Sequence, residues 1–256
     1  MFSLQHGRDI LYKITAKTFE VIKLVPNILE LGVHNGGNAV ELMQTFNPHE
    51  AYFIDAWDSK SICENYSPFE VLPDWVSPID SFSHYFGGDL RLQETFDKLY
   101  QDAKLNLEIF PNANVIKSST TDAFHLLKNN ETKFDFIYVD ANHQYEFVLR
   151  DLMEYSKLLN DNGFMQLNDC VLSVPGTRQN LGVLRALHEF VLRNKDFIVL
   201  AQTAGEWADV SISRRGPHTQ VFEGIIVQNT LNYVEIPQEL VFNSQCRNGR
   251  MSYVIA

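Results

Sequence analysis

Short apolar runs that end on an acid or an amide recur along this chain, and between them apolar positions fall three and four apart. Ile28-Leu29-Glu30-Leu31, Ala51-Tyr52-Phe53-Ile54, Ala113-Asn114-Val115-Ile116, Phe134-Asp135-Phe136-Ile137-Tyr138-Val139 and Phe164-Met165-Gln166-Leu167 read as strands. Helical spacing fills the intervals, over about 8 to 24, from Ala39 onward, and over about 92 to 107, 121 to 127, 144 to 159 and 181 to 192. Pro26 would end the first helix, and Asn160-Asp161-Asn162-Gly163 carries stop signals for the helix before it. Strands alternating with helices predict βαβ units and a parallel sheet. Phe197-Ile198-Val199-Leu200 and Val210-Ser211-Ile212-Ser213 predict a terminal antiparallel pair, for about seven strands in all.

Two stretches break the alternation. From Trp57 to about Leu90, Pro68, Pro73 and Pro78 interrupt any long helix, and Tyr66, Phe69, Trp75, Phe82, Tyr85 and Phe86 crowd the segment with aromatics. An insertion of this length reads as a lid or binding loop, or as a surface packed on the domain or on a second copy. Its acids Asp58, Glu64, Glu70, Asp74, Asp80 and Asp89 face Lys60 alone, which suits a neutral or cationic substrate better than a phosphorylated one. Beyond Gly216, Val221 to Val227 and Tyr233 to Ile236 look like extra strands in a short C-terminal extension, about 217 to 256. The expectation is one α/β domain over residues 1 to 256, with a core of about 27 to 215.

Composition narrows the class of function. At 256 residues and 45% apolar the chain can bury a full core, and no apolar run approaches the roughly 20 residues of a membrane helix. The opening residues lack a basic segment followed by an apolar core, so no secretory leader is expected and the cytoplasm is the default. Cys63, Cys170 and Cys246 suggest neither a structural zinc site nor a disulfide framework. A net charge of -11 argues against nucleic acid as the main partner. The aromatic insertion and the tail are both candidate contact surfaces in a homo-oligomer.

The chemistry starts at Asn27 to Asn38, an apolar run, an acid and a glycine-rich turn. A dinucleotide fingerprint wants G-x-G-x-x-G, whereas here Glu30 precedes Gly32 and Gly36 follows four residues later. An acid is badly placed beside a pyrophosphate and well placed beside a cationic amino-acid group. Asp55, ending the second strand, can accept hydrogen bonds from ribose hydroxyls. Together Glu30, Gly32, Gly36 and Asp55 fit S-adenosylmethionine as the cofactor.

At this point the chain resembles the class I S-adenosylmethionine-dependent methyltransferases, whose fold is a Rossmann-like, mostly parallel seven-stranded sheet with helices on both faces. Ile28 to Gly37 looks like their first motif, with His34 in place of the middle glycine. That departure, and Val139-Asp140-Ala141-Asn142-His143-Gln144-Tyr145-Glu146, is similar to the branch that includes the macrolide-sugar (macrocin-type) O-methyltransferases. The likeness covers about residues 27 to 215.

Asp140 ends one buried strand and Asn168-Asp169 the next, and ends of adjacent parallel strands project to one edge of the sheet. Two carboxylates and an amide there make an oxygen-rich site for Mg²⁺. In relatives the metal holds two vicinal hydroxyls of the acceptor, so the resemblance places Asp140 and Asp169 as ligands with Asn168 nearby. Those relatives often carry Glu-Asp where this chain has Asn168-Asp169. The resemblance also makes His143 the general base, and a helix N-terminus would keep it neutral. The expected reaction is Mg-assisted O-methylation of a hydroxylated small molecule: a sugar, a polyol or a catechol-like phenol. A small-molecule hydroxylase component of the same fold and a non-catalytic ligand-binding protein are the alternatives.

Overall fold

The computed structural model describes residues 1–65, 74–229, 231–237, 244–247 and 250–253, the last two stretches by backbone alone. Five parallel strands occur where the apolar runs predict them: β2 (Asn27–Leu31), β3 (Glu50–Asp55), β4 (Ala113–Lys117), β5 (Phe134–Val139) and β6 (Leu159–Leu167). β7 (Phe197–Thr203) and β8 (Val210–Arg214) form the antiparallel pair, with β8 inserted beside β6. The sheet does not stop at seven strands. β1 (Phe2–Leu4) pairs parallel with β7, and β9 (Tyr233–Glu235) pairs antiparallel with β1. The nine-stranded order is β4-β3-β2-β5-β6-β8-β7-β1-β9, a mixed Rossmann-like sheet, and β10 (Ser244–Arg247) pairs separately with β11 (Arg250–Tyr253).

The helices are α1 (Asp9–Ile22), α2 (Gly37–Phe46), α3 (Ser59–Asn65), α4 (Ser83–Phe86), α5 (Gln93–Leu107), α6 (Thr120–Asn129), α7 (Tyr145–Tyr155), α8 (Val174–Arg178), α9 (Val183–Arg193) and α10 (Pro217–Gln228). Two apolar layers flank the sheet. On one face Leu11, Ile14 and Phe19 of α1 pack with Ile28, Phe136, Phe164 and Phe222; on the other Val148, Leu152 and Phe190 pack with Leu29, Ile137 and Met165.

Two local predictions are corrected. Residues 221–227, rich in Val and Ile, belong to helix α10 rather than to a strand. Pro217 follows Gly216 at the helix start, and Thr219, Phe222 and Ile226 are buried at helical intervals. Asn160-Asp161-Asn162-Gly163 does not separate a helix from a strand but lies inside β6. Phe134 pairs with Leu159 and Phe136 with Phe164, so the turn residues are taken up as a bulge. The preceding helix, α7, correspondingly ends at Tyr155. Among the described residues no helix is long and apolar enough to cross a membrane.

Candidate active site

The carboxyl ends of the central strands are tied to one another before they turn away. The Gly32 N–H donates to the Ile54 carbonyl (2.8 Å), Asp140 to Leu31 (2.8 Å) and Asn168 to Val139 (3.0 Å). Residues in register share a sheet face. Glu30 stands opposite Tyr138, Tyr138 opposite Gln166 and Gln166 opposite Ser211, a buried polar row on the face that α1 covers. Two residues further along their strands, Gly32, Asp140, Asn168 and Asp209 continue the pattern.

At the first strand's turn, Gly32 has φ +85°, and a Cβ there would lie 2.0 Å from the Asp140 carbonyl oxygen. The meeting of β2 with β5 demands this glycine, independently of any ligand. Gly36, at φ +83°, would place a Cβ 3.1 Å from the Ala103 Cα on α5. His34 occupies the left-handed region at φ +54°, the conformation that a glycine takes without strain. Its carbonyl accepts from the Trp57 indole Nε1–H (2.7 Å) and its ring meets Phe86 edge-on, with centroids 5.4 Å apart. The described part of the insertion thus packs against the turn. Tyr66 and Phe69 lie outside the described residues.

Asp55 Oδ2 accepts from the N–H groups of Val33 and His34 (2.9 Å each), and Oδ1 from that of Trp57 (2.8 Å). The carboxylate therefore pins the turn to the end of β3. An ionised oxygen accepts more than one bond, so Oδ1 keeps capacity for a ribose hydroxyl. Glu30 is fully buried; Oε1 accepts from Asn38 Nδ2 (2.6 Å), while Oε2 has no partner among the described residues. Burial, reinforced by the charges of Asp140 and Asp55, pushes its carboxyl well above the usual range against the pull of the Asn38 bond.

The second cluster gathers about one imidazole nitrogen. His143 Nε2 lies 3.3 Å from Asp140 Oδ1, 3.3 Å from Asn168 Oδ1 and 4.0 Å from Asp169 Oδ2. Asn168 is oriented from behind, its Nδ2 donating to Tyr138 Oη (3.2 Å) and Asp209 Oδ1 (3.3 Å). Asp209 also accepts from Tyr138 Oη (2.8 Å) and Gln166 Nε2 (2.7 Å), and burial lifts its pKa to about 7. At His143 the surroundings act in opposite directions. Burial opposes its charge, but the hydrogen bond to Asp140 and the charges of Asp140 and Asp169 outweigh that and raise its pKa. The two carboxylates act at closer range than the helix terminus. Burial and the charge of Asp140 raise Asp169, with His143 opposing; its backbone is left-handed at φ +51°.

Every predicted site residue thus falls at the carboxyl edge of the sheet, in two groups. Glu30, Gly32, Gly36 and Asp55 surround the first turn; Asp140, His143, Asn168 and Asp169 surround the second. Sequence reasoning did not single out Tyr138 or Asp209, nor Gln166 and Trp57 as more than fold positions. A polar Gln166 inside an apolar strand was the one available signal.

Residues 29–170, more than half of the chain and holding both clusters, match the family model described as methyltransferase domain. The chain belongs to the methyltransferase-domain family. As a methyltransferase-domain protein it uses S-adenosylmethionine as methyl donor, and the buried, unpartnered Glu30 Oε2 fits that cofactor's ammonium group. The fold is similar to that of the O-methyltransferase from Bacillus cereus in complex with SAH, at 14% identity and a TM-score of 0.54 over 82% of this chain and 83% of that one. It is also similar to cofactor-bound Rv0187 from MTB, at 11% identity and a TM-score of 0.52 over 82% and 80%. Comparison with curated proteins gives no match.

Proposed function

We propose that this methyltransferase-domain protein is an O-methyltransferase acting on a hydroxylated small molecule, with Mg²⁺ assisting at Asp140, Asn168 and Asp169. The observation that carries the reading is the convergence of three oxygens, Asp140 Oδ1, Asn168 Oδ1 and Asp169 Oδ2, on the position of His143 Nε2. Two carboxylates and an amide carbonyl are hard donors, the chemistry that suits a small divalent cation. The third oxygen is an amide: among the described residues no three His, Cys, Asp or Glu side chains are arranged to hold a metal. A bound Mg²⁺ would lower the pKa of an acceptor hydroxyl and offset the charge of the two acids.

In this reading Glu30 holds the methionine ammonium and Asp55 a ribose hydroxyl, with Gly32 and Gly36 shaping the turn between them. His143, in its neutral form, takes the acceptor's proton at Nε2. The cofactor supplies an already activated methyl group, so the protein's work is alignment, and good positioning contributes on the order of 7–11 kcal/mol. The similarity in fold to an O-methyltransferase from Bacillus cereus is consistent with a hydroxyl acceptor.

Radiolabelled S-adenosylmethionine offered with a panel of sugars, polyols and catechols, with Mg²⁺ or with a chelator, tests the proposal. Transfer of label that needs Mg²⁺ and is abolished in Asp140→Ala/Asp169→Ala supports it. Undiminished transfer in chelator removes the metal. Cofactor binding with no transfer to any hydroxyl would instead point to a ligand-binding role.

A further inference from the structure

Asp209 stands immediately before β8, fully buried, and no motif points to it. β8 pairs antiparallel with β6, Val210 opposite Leu167, and so brings Asp209 beside Asn168 from 41 residues further along the chain. Its backbone is tied to the end of β7: the Asp209 N–H donates to Thr203 Oγ1 and the Thr203 N–H to the Asp209 carbonyl (2.9 Å each). Its carboxylate meets three donors, Tyr138 Oη (2.8 Å) and Gln166 Nε2 (2.7 Å) on Oδ2 and Asn168 Nδ2 (3.3 Å) on Oδ1.

These bonds leave the Asn168 amide one orientation. The Tyr138 hydroxyl gives its proton to Asp209 Oδ2, so toward Asn168 Nδ2 (3.2 Å) it acts as an acceptor. Turned over, the amide would set its oxygen against two acceptors, a mismatch that is costly for a side chain at 2% exposure. The Asn168 oxygen is thereby held outward, 3.3 Å from His143 Nε2, where it joins Asp140 Oδ1 and Asp169 Oδ2. Only a carboxylate at position 209 accepts on both of its sides. An amide there would offer one oxygen to three donors, and its own N–H groups would draw the Asn168 oxygen inward.

We infer that Asp209 is a positioning residue of the methyl-transfer site, which together with Tyr138 holds the Asn168 carbonyl oxygen toward the proposed cation position. The inference rests on the Mg²⁺ reading and adds to it the reason that an amide serves at position 168. The amide's N–H groups need an acceptor behind them, and Asp209 is that acceptor. A carboxylate at 168 would face the Asp209 carboxylate instead. Asp209 therefore acts on the site through Asn168, as partners behind a ligand orient it toward its ion.

Titration of the full chain with Mn²⁺, followed by electron paramagnetic resonance, tests this without turnover, since Mn²⁺ shares the preference of Mg²⁺ for oxygen ligands. Asp209→Asn is expected to weaken Mn²⁺ about ten-fold or more, while S-adenosylhomocysteine affinity by calorimetry changes less than about twofold. The discriminating arm is Asn168→Asp, whose carboxylate has two equivalent oxygens and takes a donor behind it. On that background Asp209→Asn should tighten Mn²⁺ or leave it unchanged, because the introduced amide donates where a second carboxylate repelled. A lost charge or disturbed packing would instead weaken both backgrounds alike. Unchanged Mn²⁺ affinity in Asp209→Asn, an equal loss on both backgrounds, or a parallel loss of S-adenosylhomocysteine would overturn the positioning role. Failure of the unsubstituted protein to bind Mn²⁺ would sink the metal site itself, and the inference with it.

Discussion

Glu30 is a buried acid that a cationic ligand would partner. A carboxylate buried to 0% exposure with one oxygen unpartnered costs folding free energy, and a methionine ammonium would satisfy it. Glu30→Gln removes the charge but retains an acceptor for Asn38. It is expected to leave the urea midpoint unchanged or raised while weakening S-adenosylhomocysteine about ten-fold or more by calorimetry; unchanged affinity would take Glu30 out of the cofactor site. Gly32 answers to backbone rather than ligand. Gly32→Ala sets a Cβ 2.0 Å from the Asp140 carbonyl oxygen at a positive φ, and a loss of about 3 kcal/mol in chemical denaturation is expected. Both residues were legible in the sequence by type and position. Their physical reasons were not, because Asp140 meets Gly32 across 108 residues of chain, a distance at which no local pattern reports.

At the scale of elements, legibility follows how local the deciding interactions are. β2, β3, β5 and their helices were readable because burial on both faces gives continuous apolar runs and the crossovers give helical spacing. β9 falls where Tyr233 to Ile236 reads as an extra strand, whereas β1 spans three residues and exists through its pairing with β7 and β9, Phe2 with Ala201 and with Glu235, so it carries no period of its own. α10 was misread because Val and Ile favour strands in isolation, whereas its environment rewards a helical stripe. Phe222 is fully buried and stacks on Phe164 of β6 with centroids 5.5 Å apart. Phe222→Ala should therefore cost about 3–5 kcal/mol in urea unfolding, as for a core aromatic. A cost below 1 kcal/mol would mean that α10 is an appendage rather than part of the core.

For the molecule as a whole, buried acids tie stability to pH. Asp151 on α7 is 1% exposed and accepts from Thr120 Oγ1 on α6 (2.8 Å) and from its neighbour Arg150. Burial raises its pKa from 3.8 to about 6 against the pull of Arg150 and Thr120, and Asp209 is raised to about 7. For an acid raised in the folded state, the native protein holds the proton more tightly than the unfolded chain between the two values. The stability that this contributes is complete below pH 3.8 and is lost as pH rises through about 6 for Asp151 and about 7 for Asp209. The excess of acids over bases adds repulsion in the same direction as carboxyls ionise. Asp151→Asn isolates one contribution, since the amide oxygen still accepts from Thr120 and cannot ionise. Urea midpoints measured from pH 4 to 8 should show the unsubstituted protein losing stability relative to Asp151→Asn up to about pH 6, by on the order of 1–3 kcal/mol, and a constant gap above that. Parallel curves over the whole range would mean that Asp151 ionises in the folded protein as it does in the unfolded chain, and that Arg150 and Thr120 fully offset its burial.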